Sequence, residues 1–76
     1  MTLRRHSLTL DGHRTSVAIE DEFWVEICRI ARDRGCSAAR LVAEIDEART
    51  SEDPPPNLSS ALRLFVLAEI KGRAAR

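Results

Sequence analysis

Little in this chain is built to span a membrane, to cross-link or to catalyse. The longest apolar run, Leu64-Phe65-Val66-Leu67-Ala68, falls far short of the roughly 20 residues that a bilayer-spanning helix needs. No membrane partner is expected. Cysteine is scarce: Cys28 and Cys36 stand eight residues apart, which is not a zinc-ligand spacing, and no histidine cluster completes a metal site. Two free thiols without a secretory signal fit a reducing cytoplasm, and both are read as small buried hydrophobes. No carboxylate pair, nucleophile–base set or glycine-rich phosphate loop is present. Neither an enzyme nor a cofactor is expected. Net charge is lacking too, at zero, a poor global sign of a polyanion as partner.

What is present is short and unevenly charged. Seventy-six residues make one small domain, which usually needs a disulfide, a metal or a second subunit for stability. With the first two missing, self-association remains. Residues 1–19 carry Arg4, Arg5 and Arg14 against Asp11, with His6 and His13 in addition. Residues 20–50 hold five arginines against eight acids. Positive charge therefore gathers at the N-terminal end.

That end reads as β. In Arg14-Thr15-Ser16-Val17-Ala18-Ile19 the side chains alternate: Thr15, Val17 and Ile19 share one face, and Arg14, Ser16 and Ala18 the other. Ser7-Leu8-Thr9-Leu10 has the same alternation, followed by Asp11-Gly12, a two-residue hairpin signal. A helix follows from about Asp21, with Phe23, Ile27, Ile30 and Ala31 on one stripe widened by Trp24 and Cys28. Acids at its start and Arg32 and Arg34 at its end suit the helix dipole, and Gly35 supplies a stop. Ser37 caps a second helix whose stripe is Ala38, Leu41, Val42, Ile45 and Ala48. Residues 50–57, with Pro54, Pro55 and Pro56, read as an extended linker. A third helix runs from about Leu58 to Lys71 with Gly72 as its stop. It is apolar over more than one face, so its second side is expected against another subunit.

Strand, helix, Gly35-Cys36-Ser37 turn and helix: over residues 13–49 this order resembles the ribbon-helix-helix family of bacterial repressors. His13-Arg14-Thr15-Ser16-Val17, Glu22-Phe23-Trp24 and Asn57-Leu58-Ser59-Ser60-Ala61-Leu62-Arg63 extend the similarity, to a short subgroup with an extra C-terminal helix. The resemblance implies a mainly α homodimer with one short strand per chain, the two strands pairing antiparallel between subunits. Thr15, Val17 and Ile19 then cap a shared dimer core with Phe23, Trp24, Ile27, Ile30, Leu41, Val42 and Ile45. Arg14, Ser16 and Ala18 face the bases of double-stranded DNA in the major groove. Ser37, Ala38, Ala39 and Arg40, at the start of the second helix, face phosphate. Arg4 and Arg5 add phosphate contacts from an arm.

The expected layout is an N-terminal arm or hairpin strand (1–12), the ribbon-helix-helix unit (13–49), a linker (50–57) and a C-terminal helix (58–76). The expected function is sequence-specific DNA binding and transcriptional repression in the bacterial cytoplasm. Two features depart from the family pattern. Ala18 is apolar where family members often carry polar or basic residues. The Asp11-Gly12 hairpin would also widen the ribbon to four strands, which favours an arm for Ser7–Leu10. The alternative is an antitoxin-like interaction module that docks a partner protein through the apolar C-terminal helix.

Overall fold

In the computed structural model, which describes residues 3–10 and 12–74, two strands lead into three helices. They are β1 (Leu3–Leu10), β2 (His13–Glu20), α1 (Asp21–Asp33), α2 (Ala38–Arg49) and α3 (Leu58–Ala74). The strands form an antiparallel hairpin in which Leu10 faces His13 and Leu3 faces Glu20. This register lines up the two alternating patterns: Leu8 lies opposite Thr15 and His6 opposite Val17, all on the face turned to the helices. Gly12 has φ 79°, the left-handed backbone that a two-residue hairpin turn requires. Asp11, the other half of the expected turn, lies outside the described residues, as do Met1, Thr2, Ala75 and Arg76.

The strand content differs from the expectation of one short strand, because there are two strands of eight residues each. Of the two readings for the N-terminal segment, the structure has the hairpin strand, paired from Leu3 to Leu10, and not the arm. β2 thus takes as its ladder partner a segment of its own chain, where the resemblance implies a twin strand from a second copy. A strand tethered by a two-residue turn pays little loop-closure entropy, whereas a twin must also give up translational freedom.

The helix boundaries follow their local chemistry. Gly35, at φ 74°, turns the chain so that the Cys36 amide donates back to the Ala31 carbonyl at 2.9 Å, closing α1. Ser37 Oγ accepts from the Arg40 amide at 3.1 Å and opens α2. Asn57 Oδ1 accepts from the Ser60 amide at 2.8 Å and opens α3. α3 continues through Gly72 to Ala74, past the expected stop, since Gly72 does not adopt the left-handed conformation that ends a helix. The segment between α2 and α3 is folded back and not an extended spacer. Arg49 donates to the Asp46 carboxylate at 2.6 and 2.9 Å and to the Pro56 carbonyl at 3.0 Å.

One chain closes its own core. Val17, Ile19, Ile27, Ile30, Leu41, Val42 and Ile45 are buried within it, with Thr15, Phe23 and Trp24 half-buried. α3 completes the layer with Leu62 and Val66, both essentially inaccessible. Leu64 and Leu67, on its other side, and Ile70, at the flank of the buried stripe, are exposed. Cys28 is exposed, against the expectation of burial, because its helix position faces away from the packed stripe; Cys36 is half-buried. No described helix is long and apolar enough to cross a membrane.

Leu62→Ala should therefore cost about 2–5 kcal/mol in urea unfolding, the range for a large-to-small change in a closed core. A loss under about 1 kcal/mol, typical of surface positions, would mean that α3 only rides on the other helices.

Candidate nucleic-acid interface

The pleat of the hairpin sorts its side chains into two sets. The helices lie under one face. On the other, β2 presents Arg14, Ser16 and Ala18, and directly across the ladder stand Thr9, Ser7 and Arg5 of β1. All six are exposed. Arg5 Nη1 donates to Ser16 Oγ at 3.2 Å, a diagonal contact that lays the guanidinium along the ribbon. At the far end of this face, Glu20 is clamped by Arg63 at 2.9 and 3.1 Å. That hydrogen bond, with help from the backbone, holds the Glu20 carboxyl below its ordinary value. Among the described residues, Arg5 and Arg14 are the cations of this face. Beside them are hydroxyls able to donate or accept, and one methyl.

The inner face explains why β1 stays down. Arg4 pairs with Asp21 at 3.0 Å. His6 stacks on Trp24, with ring centroids 4.3 Å apart and planes 14° from parallel. Its Nε2 is a buried atom without a hydrogen-bond partner, 3.8 Å from the Asp21 carboxylate. In the sequence His6 counts only toward the basic N-terminal end, whereas the fold puts it on the inward face. The alternation that puts His6 on the face of Leu8 and Leu10 was the available signal, and Trp24 is the surface it meets. Arg4 and Arg5, expected to reach phosphates together, are parted by the pleat onto opposite faces.

The free edge of β2 is partly occupied. Ser59, in the first turn of α3, donates its hydroxyl to the Ala18 carbonyl at 2.7 Å. The two-residue turn makes Leu10 and His13 a hydrogen-bonded pair, so by alternation the carbonyls of Arg14, Ser16 and Ala18 point away from β1. The Ser59 contact agrees with that geometry.

At the start of α2, Ser37 is exposed while Ala38 and Ala39 are half-buried. Ser37 serves the Arg40 amide, and its carbonyl accepts from the Leu41 amide. The amides of Ala38 and Ala39 remain at the open, partially positive end of the helix. No acid lies in that first turn. Arg40 is exposed and leans toward Glu44, 3.7 Å away. Among the described residues, no group of three or more His, Cys, Asp or Glu is placed to hold a metal.

A family model described as a ribbon-helix-helix domain matches residues 3–70 of the chain. No curated protein and no solved structure matches it.

The Glu20–Arg63 clamp has a signature in pH. A carboxyl held below its ordinary 4.5 favours the folded state above that value, and the contribution is lost as the pH falls through the folded value. The urea midpoint of the protein should drop as the pH is taken below the ordinary carboxylate value, and part of that drop should vanish in Glu20→Gln. Identical pH profiles for the two proteins would show that the clamp adds nothing to stability.

Proposed function

This chain belongs to the ribbon-helix-helix family, and from that premise we propose that it binds duplex DNA sequence-specifically as a homodimer and represses transcription. Ribbon-helix-helix domains are generally non-enzymatic DNA-binding modules that act as dimers. The observation that carries the reading is the open outer face of the hairpin, with Arg14, Ser16 and Ala18 exposed while the alternate residues Val17 and Ile19 are buried.

Each residue type suits a base edge. The Arg14 guanidinium can bond guanine O6 and N7 together, Ser16 can donate or accept, and Ala18 can touch a thymine methyl. Ser37, the Ala38 and Ala39 amides and Arg40 would grip phosphate, which sets register and carries no sequence information. The contact of Arg40 with Glu44 is an exposed pair of the kind worth little, so it yields to a phosphate at small cost. Zero net charge is compatible with this reading because groove contact is local: Arg5 and Arg14 are exposed on the face that the duplex would meet.

A second reading, docking of a partner protein, draws on Leu64, Leu67 and Ile70, which α3 leaves 43–61% exposed. It concerns a different side of the molecule and does not compete for the hairpin.

Selection of bound duplexes from a random pool, at a stated salt concentration, tests the proposal. The wild-type protein should enrich a defined sequence. Arg14→Ala should lose about 1–3 kcal/mol on it and relax the preference at one base position per half-site. Enrichment of no sequence by the wild-type protein would overturn the proposal.

A further inference from the structure

We infer that α3 pairs antiparallel with α3 of a second copy, Leu64 of each meeting Leu67 of the other and Lys71 of each turned toward Glu52 of the other. The contact is separate from the hairpin and does not rest on the DNA-binding reading.

Helical spacing sets the face. Ser60, Leu64, Leu67 and Lys71 follow one another at intervals of four, three and four, so they form one stripe along α3. The stripe lies away from Leu62 and Val66, which are buried in the chain's own core. Leu64 is 61% exposed and Leu67 50%, on the side of the helix where water favours polar residues. Ala61 and Ala68, three before and four after Leu64, border it. Such small side chains let a second helix approach closely.

Charge selects the occupant. Two antiparallel helices related by a two-fold axis bring the end of one against the start of the other. A face suited to its own copy therefore carries opposite charges at its two ends, and this one does. Glu52 lines an apolar cleft with Ala48, Pro55, Ala61 and Leu64, at the start of the stripe. Lys71 stands at the far end. Both are exposed. Nearby charges are already matched within the chain, Arg34 with Glu69 at 3.1 Å and Arg73 with Glu26 at 3.6 Å. Among the described residues, Glu52 and Lys71 take part in no ion pair.

With the axis between Leu64 and Leu67, the partner's Lys71 comes level with Ser60, about 6 Å along the helix from Leu64. Its ammonium is then directed to the end of the face that Glu52 borders, and symmetry repeats the contact. A parallel pair would instead set Lys71 against Lys71 and Glu52 against Glu52, which repel. The stripe belongs to the helix layer, so the pairing leaves the outer face of the hairpin open and joins two units that each carry one.

Sedimentation equilibrium of the full chain over a range of concentrations tests this. Leu64→Glu and Leu67→Glu alter exposed residues, so far-UV circular dichroism should be unchanged. Each should halve the mass at saturation, from dimer to monomer, or from tetramer to dimer if the strands also pair. Lys71→Glu and Glu52→Lys should each weaken association roughly 3- to 10-fold, and the double variant should regain the wild-type constant. If both leucine variants keep the wild-type mass, the inference falls and the face is left to a partner of another kind. If the double charge reversal recovers nothing, the helices do not pair antiparallel and the inference falls as well. None of these readouts involves DNA, so either failure leaves the DNA-binding proposal standing.

Discussion

The two-residue period of a strand governs this molecule. Val17 and Ile19 must go down to the helices, because few other residues of β2 can close the core from above. Once they do, Arg14, Ser16 and Ala18 have no choice but to face outward. The same rule acts on β1 through the register. Leu8 and Leu10 pack inward, which lifts Arg5, Ser7 and Thr9 into the plane of their β2 neighbours. A slip of one residue would bury arginines and expose valine and isoleucine, so the exposed polar face and the hydrophobic core are set by one alignment.

α3 is what lets a single chain achieve this. Its buried residues, Leu62 and Val66, fall one turn apart and lie against the sheet and the other two helices. Its first turn also reaches the sheet edge through Ser59, and Arg63 reaches the end of β2 through Glu20. Three consecutive turns of one helix thus hold the underside, the edge and the end of the same strand. The helix is part of the domain and not an appendage to it, in keeping with a family match that runs to residue 70.

Much of this was legible in the sequence. The alternation of residues 14–19, the glycine at position 35 and the caps at Ser37 and Asn57 each carry a strong local reason, and each appears where that reason puts it. Most of the residues that periodicity places on the apolar stripes of β2, α1 and α2 are buried or half-buried, with Cys28 and Ala48 exposed. What stayed hidden depends on pairing across distance. The diagonal contact of Arg5 with Ser16, the stack of His6 on Trp24 and the bond from Ser59 to the Ala18 carbonyl join residues 11 or more positions apart. No local pattern encodes them. The choice between arm and hairpin turned on the same kind of contact. The Ser7–Leu10 alternation allowed either, and Arg4 with Asp21 and His6 with Trp24 supply the interactions that hold the strand down.

A core that one chain completes by itself also separates folding from assembly. In a dimer whose subunits share their only core, dilution unfolds the protein, and a newly made copy is exposed to proteases until it finds its partner. Here the buried layer of Ile19, Ile27, Leu41, Val42, Leu62 and Val66 is supplied within one polypeptide. Such a chain needs no second copy to bury these side chains, so the folding stability of the single chain should not depend on its own concentration.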